Sequence, residues 1–168
     1  PMVDYVLDHF PGKQVGLIGT KRTVQSGVYS RKITEGNKNI TLHSLATPLL
    51  APMIEEGFFN NQIRHEIIAQ YLSDTSLKNI EALILACTHY PLIKKEIDSY
   101  YQGKMIILDS SEIVAIALKK YLEKEGLLNE NEPIEQHFLV SDYTESFEAA
   151  ARMFFHQAVL LEKHPLWN

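Results

Sequence analysis

The chain has 168 residues, a mass of 19.2 kDa and a formal net charge of −5, from 16 basic and 21 acidic side chains. This length fits one domain or two small ones packed together, and a composition with 45% hydrophobic and 22% charged residues excludes collagen-like, coiled-coil and disordered chains. The acidic balance argues against nucleic acid as a partner, because nucleic-acid-binding domains concentrate Lys and Arg.

The predicted elements alternate between short β-type segments and helices. In chain order they are strand 15–18, helix 20–34, strand 40–45, helices 49–56 and 62–72, strand 81–86, helix 91–100, strand 105–108, helix 111–124, strand 136–140 and helix 145–158. Gly57 is expected to end the helix before it, and 127–133 is a polar connection. The alternation predicts an α/β fold with an open, largely parallel sheet flanked by helices.

The apolar segments and the single cysteine indicate where such a protein works. The longest apolar runs, 82–86 and 105–108, are strand-sized, whereas a membrane helix needs roughly 20 residues, so no membrane partner is expected. Cys87 alone cannot form an internal disulfide, and no signal peptide opens the chain, which favours a cytoplasmic location. Because the chain opens with Pro1, we expect that it was processed or starts within a longer chain.

Two partial motifs do not predict a cofactor or a metal. Gly16 and Gly19 lack the third glycine of a dinucleotide-binding turn, and no P-loop lysine follows them. The segment that begins at His65 and Glu66 resembles a zinc-protease motif, but Ala69 stands where the second histidine is needed. We therefore expect no metal and no cofactor.

Cys87 is the most informative single residue. A lone cysteine after an apolar strand is most often an inert core side chain. Cys87, however, lies at the carboxyl end of a predicted strand and just before a predicted helix, where open α/β sheets place ligands. A helix N-terminus lowers the pKa of a thiol and binds anions through free N–H groups. The position can hold a thiolate beside a substrate carboxylate, and His89 can assist proton movement.

Two further segments carry candidate polar groups. Thr20 and Thr23 follow the first strand, and they either cap the next helix or bind a carboxylate from the opposite side of the site. Glu55 and Glu56 stand at the end of a helix, where negative charge is mildly unfavourable. This misfit is a weak indication that one of the two acids acts elsewhere.

The segments together resemble glutamate racemase, the cofactor-independent enzyme that supplies D-glutamate for peptidoglycan. The resemblance rests on Gly-Thr-Lys-x-Thr-x-Gln-Ser at 19–26, on Ala-Thr-Pro-Leu at 46–49 followed by Glu-Glu-Gly at 55–57, and on Ala-Cys-Thr-His-Tyr-Pro-Leu at 86–92. Asp-Ser at 109–110 and Phe-Leu-Val-Ser-Asp at 138–142 match late segments of the family. The resemblance implies two similar α/β domains with the active site in the cleft between them, and a homodimer.

The resemblance also implies roles for single residues. Cys87 would be the catalytic thiol that acts on the L-enantiomer, one of two such thiols in the family. His89 and Glu55 would tune that thiol or hold the substrate ammonium, with Glu56 as a substitute for Glu55. Thr88, Thr20 and Thr23 would bind the substrate, which is L- or D-glutamate.

One departure from the family pattern limits these expectations. Family members carry a first half with an Asp-Ser-Gly-rich opening and a Cys-Asn-Thr-Ala-Ser motif that bears the other thiol, and this sequence contains neither. We therefore expect residues 1–104 to form the second α/β domain and 105–168 to be a returning segment that would complete the absent first domain. Strands from Met105 onward should then lack their natural sheet neighbours and leave apolar faces exposed, so the lone chain should dimerise, swap elements or be poorly ordered there.

Two alternatives remain open from the sequence. The chain is either an active part of a racemase or an inactive truncated half-domain, for which the missing thiol argues. Within enzymes, a related aspartate or hydantoin racemase is the other possibility, although the residues after His89 favour glutamate.

Overall fold

A computed structural model describes residues 1–56, 61–129, 135–155 and 157–166 of the chain. Four strands form one parallel sheet in the order β2-β1-β3-β4. The strands are β1 (Gln14–Gly19), β2 (Thr41–Ala46), β3 (Ala82–Ala86) and β4 (Ile106–Asp109). The predicted α/β fold with a parallel sheet is confirmed.

Helices flank the sheet, and most of them lie where the sequence pattern predicts them. They are α1 (Met2–His9), α2 (Lys21–Gln25), α3 (Val28–Glu35), α4 (Leu50–Glu55), α5 (Asn61–Leu72), α6 (Lys94–Tyr100), α7 (Ser110–Lys124) and α8 (Glu145–Phe155). Short 3-10 turns occur at Thr75–Leu77 and Tyr90–Ile93. Pro91 lies in the first turn of the second one, as its missing N–H predicts.

The two central strands are buried on both faces because their residues are almost continuously apolar. In β3 every residue is buried, and in β1 every residue after Gln14 is. One core contains Leu83 and Leu85 with side chains of α4, α5 and α6, and the other contains Ile84 with side chains of α1 and α3. The sheet is therefore covered by helices on both sides, and its strand ends are held in fixed positions.

Two local predictions are wrong. The helix predicted over 20–34 is two helices, because the chain turns at Gly27, whose φ of 62° lies in the left-handed region that favours glycine. Helix α1 was not predicted, although Met2, Val6 and Phe10 recur every four residues and all three are buried. The predicted stop at Gly57 lies outside the described residues, as does the connection from 130 to 133.

The strands from Met105 onward are expected to lack their natural sheet neighbours, and in the structure each described one pairs with another strand of this chain. β4 pairs in parallel with β3, with Leu85 opposite Asp109. β5 (Phe138–Val140) and β6 (Leu161–Lys163), the second of which was not predicted, pair with each other in a two-stranded sheet. β4 is the edge strand of this sheet, and it covers the side of β3 that faces away from β1. The division of the chain at residue 104 stays a prediction.

The helix α7 carries apolar side chains into solvent. Val114, Leu118 and Tyr121 are exposed and lie on one face, since they are spaced by four and three residues. Exposed apolar faces in this part of the chain agree with the expectation from the sequence. Within the described ranges, none of the helices has the length and apolar composition that crossing a membrane requires.

Candidate active site

The site lies at the carboxyl edge of the sheet, where three parallel strands end side by side. Gly19, the last residue of β1, pairs with Ala46 of β2 and with Ala86 of β3. The next residue along each strand is therefore presented at the same edge, and these residues are Thr20, Thr47 and Cys87. Open α/β sheets place ligands at this kind of edge.

Cys87 is half-buried, and polar groups surround its thiol. The Sγ atom lies 3.7 Å from Nδ1 of His89. The backbone N–H groups of His89 and Tyr90, at the start of the 3-10 turn, lie on the same side and lower the pKa of the thiol, although burial outweighs them. One side of Cys87 therefore packs on the core, and the other meets polar groups.

Glu55 extends this group of side chains. Its Oε1 atom lies 3.0 Å from Nε2 of His89, and the carboxylate reaches the imidazole from the last residue of α4. Glu55, His89 and Cys87 therefore form a series in which the imidazole bridges a carboxylate and a thiol. From the strands that precede the motifs, the sequence predicts that His89, Glu55 and Thr20 converge with Cys87 on one concavity. The structure brings Glu55 and His89 to the thiol and places Thr20 at the same edge of the sheet.

The pKa of the Cys87 thiol is raised above its ordinary value. Burial is the largest cause, the N–H groups of His89 and Tyr90 oppose it, and the negative charge of Glu55 adds to it. The expectation that a helix N-terminus lowers this pKa is therefore wrong in its net direction. The N–H groups do favour the thiolate, but burial outweighs them, and the helix begins as a single 3-10 turn.

The three threonines predicted to bind substrate differ in their settings. Thr20 caps α2, since its Oγ1 atom accepts a hydrogen bond from the N–H of Thr23 at 3.2 Å, and the two hydroxyls lie 3.0 Å apart. The capping role considered from the sequence is thus present. Thr88 is exposed beside Cys87. Thr20 is brought to the same edge as Cys87 by the register of β1 and β3.

Sequence reasoning missed a buried hydrogen-bond network behind Cys87. The Oγ1 atom of Thr47 lies 2.7 Å from the hydroxyl of Tyr90, which also donates to the carbonyl of Thr47 at 3.1 Å. Thr47 Oγ1 donates in turn to the carbonyl of Gly19 at 3.2 Å. Thr47 belongs to the sequence motif at 46–49 and Tyr90 to the one at 86–92, but the fold determines that their side chains pair.

An aromatic side chain of α8 lies against the imidazole in the middle of this series. The ring centroids of Phe154 and His89 are 5.9 Å apart in an edge-to-face arrangement. A cavity of about 770 Å³ lies between Glu55 and His89 on one side and β5 and α8 on the other. In the described part of the chain, no group of three His, Cys, Asp or Glu side chains could hold a metal ion.

Comparison with known proteins shows to which family the chain belongs. No family model matches the chain. A glutamate racemase of Chlorobaculum parvum is 38% identical over 142 residues, which is 84% of this chain and 52% of the relative. This chain belongs to the glutamate racemase family. It spans about half the length of the curated relatives it matches.

Solved glutamate racemases share the fold of this chain. A Bacillus anthracis glutamate racemase superposes with a TM-score of 0.87 at 28% identity, over 99% of this chain and 62% of that chain. A Francisella tularensis glutamate racemase in complex with D-glutamate has a TM-score of 0.84 at 34% identity, over 97% of this chain and 60% of that chain. The α/β architecture of this glutamate racemase homologue is thus that of the family.

Proposed function

We propose that this chain forms one side of a glutamate racemase active site and that Cys87 exchanges a proton with the α-carbon of glutamate. The observation that carries this proposal is the series Glu55, His89 and Cys87 at the carboxyl edge of the sheet, in a chain of the glutamate racemase family. The product would be D-glutamate for peptidoglycan, made in the cytoplasm without a cofactor.

The proposed chemistry needs an acid and a base on opposite faces of the substrate. The Cys87 thiolate takes the α-proton of L-glutamate, so that a C–H bond breaks, an S–H bond forms, and the electron pair is delocalised into the substrate carboxylate. A second thiol on the other face then delivers its own proton to the α-carbon. These 168 residues contain one cysteine, so the second thiol comes from outside them.

His89 and Glu55 would prepare Cys87 for this step. Nδ1 of His89 is placed to receive or return the thiol proton, since it lies 3.7 Å from Sγ. Glu55 holds the other ring nitrogen and fixes the orientation of the imidazole. Thr88, Thr20 and Thr23 would bind the substrate carboxylate through their hydroxyls, and the Glu55 carboxylate is also suited to the substrate ammonium.

The division of the chain into parts belongs to the same proposal. Residues 1–104 would be one α/β domain of the racemase, to whose sheet β4 adds the edge strand, and the rest of 105–168 would return to complete the other. The exposed apolar face of α7 at Val114, Leu118 and Tyr121 supports burial against further polypeptide. We include a homodimer in the proposal, as the family resemblance implies.

The proposal is tested by complementing the chain. Alone, the chain should form no D-glutamate from L-glutamate, because one thiol serves one face only. Mixed with a polypeptide that carries the remainder of the Chlorobaculum parvum relative, it should form D-glutamate, measured by chiral chromatography.

Three other outcomes would contradict the proposal. Formation of D-glutamate by the chain alone would mean that another residue, with His89 as the first candidate, acts as the second base. A mixture with no activity would favour the inactive half-domain, and conversion of L-aspartate instead of L-glutamate would favour an aspartate racemase.

In the same mixture, Glu55→Gln should reduce racemisation by about ten- to a hundredfold, because His89 loses a charged hydrogen-bond partner. The rate profile should also move to lower pH, since the Glu55 charge raises the pKa of Cys87 and its removal lowers that pKa. Glu56→Gln is the matched control, because it removes the same charge one residue away. If Glu56→Gln is the more damaging variant, the role belongs to Glu56, the substitute that the sequence left open.

A further inference from the structure

One buried hydrogen-bond network ties together the ends of β1, β2 and β3. The N–H of Thr47 donates to the carbonyl of Gly19 at 2.8 Å, and its hydroxyl contacts the same carbonyl at 3.2 Å. The hydroxyl of Tyr90 joins the network through Thr47 at 2.7 and 3.1 Å. The two hydroxyl protons are thus shared among three short contacts, and each side chain fixes the other.

This network is closed to water. Thr47 and Tyr90 are both 0% exposed, and Thr47 is the buried polar residue of the described core. Burial raises the pKa of Tyr90 to about 12, so its hydroxyl stays protonated and able to donate. A buried polar group that loses its partner has no water to replace it, so the geometry of these contacts is strongly preferred.

Tyr90 connects the network to the thiol through its own backbone. Its N–H donates to the carbonyl of Cys87 at 3.1 Å, which closes the turn beside the thiol, and the same N–H lowers the pKa of the thiol. The position of that N–H therefore depends on where the tyrosine ring is anchored. The ring is anchored on Thr47, at the end of a different strand.

We propose that Tyr90, held by Thr47, is a positioning residue that keeps the backbone N–H groups of the 3-10 turn directed at the Cys87 thiol. This inference rests on the proposed function only in giving Cys87 a role in proton exchange. The hydroxyl of Tyr90 does not touch the substrate side, since it lies in the core. Its contribution is to stabilise the thiolate form of Cys87 through the turn.

Other charged or titratable groups face the same thiol and have to be held constant in a test. Glu55 approaches from α4, and His89 approaches from the turn itself. Tyr71, from α5, also acts on Tyr90 electrostatically, and its hydroxyl oxygen accepts a hydrogen bond from the N–H of Leu49, at the start of α4, at 3.3 Å. None of these is altered in the variants chosen below.

The test is the pH dependence of Cys87 alkylation by iodoacetamide, which requires no racemase activity. Tyr90→Phe keeps the ring and removes the hydroxyl, and it should raise the midpoint of the alkylation profile by roughly half to one unit, a three- to tenfold loss of thiolate below the midpoint. The control is Tyr101→Phe. Tyr101 is another core tyrosine, and within the described residues its buried hydroxyl has no hydrogen-bond partner, so the midpoint should stay unchanged.

Two variants of Thr47 make the test independent of Tyr90. Thr47→Val removes the hydroxyl and should raise the midpoint as Tyr90→Phe does, whereas Thr47→Ser keeps the hydroxyl and should restore it. If Tyr90→Phe fails to fold, the contrast between these two variants decides. An unchanged midpoint in Tyr90→Phe or Thr47→Val, or an equal shift in Tyr101→Phe, overturns the inference. A shifted midpoint with no racemisation in the complemented mixture would reject the proposed function and leave the positioning role in place.

Discussion

Cys87→Ala, mixed with the complementing polypeptide, should lose racemisation by about 10²- to 10⁴-fold, because the variant lacks the thiol that exchanges the α-proton in the proposed mechanism. Cys87→Ser should leave at most a trace, since a serine hydroxyl supplies almost no anion near neutral pH. D-glutamate is measured over time, and far-UV circular dichroism shows that the variants keep their fold. Racemisation by Cys87→Ala at the original rate would remove Cys87 from the mechanism.

The racemisation rate of the unaltered chain in this mixture should rise with pH. Burial and the charge of Glu55 raise the pKa of Cys87, so the thiolate is a minor form at neutral pH. Proton removal from L-glutamate should therefore speed up as the pH rises through that pKa. A rate that falls over the same range would mean that the neutral thiol, acting as an acid, limits the reaction.

The second large effect is on stability. Ile84 lies at the centre of β3, between Leu17 of β1 and Leu108 of β4, and it is 0% exposed. Ile84→Ala should lower the free energy of unfolding by about 3–4 kcal/mol, from lost apolar burial and the cavity left behind. Ile106→Ala makes the same change on the neighbouring strand at a residue that is 53% exposed, and it should cost less than about 1 kcal/mol.

Urea denaturation followed by circular dichroism measures both changes. The comparison tests whether β3 is the centre of the sheet. Equal losses in the two variants would contradict the strand order β2-β1-β3-β4, because Ile106 lies on an edge strand of that sheet.

The sequence predicted the strands of the main sheet because their apolar runs are short and are separated by turn residues. It also predicted the meeting of Glu55 with Cys87, because the motifs that carry them follow apolar strands, and parallel strands end at one edge of a sheet. It missed the pairing of Thr47 with Tyr90, because no local pattern links two side chains on different elements. The break at Gly27 was missed because an isolated glycine inside a helical pattern is tolerated, and only the backbone conformation of this glycine reveals the turn.

The position of Cys87 at the edge of the sheet makes its thiol a reporter of folding. The hydrogen bond between Thr47 and Tyr90 joins residues 43 apart, and parallel strands pair only after long loops have closed, which is a slow step entropically. Until β1, β2 and β3 have docked, Cys87 is an accessible thiol with ordinary reactivity. Since the chain has one cysteine, pulse labelling with a thiol reagent during refolding would time the assembly of the sheet edge without any added probe.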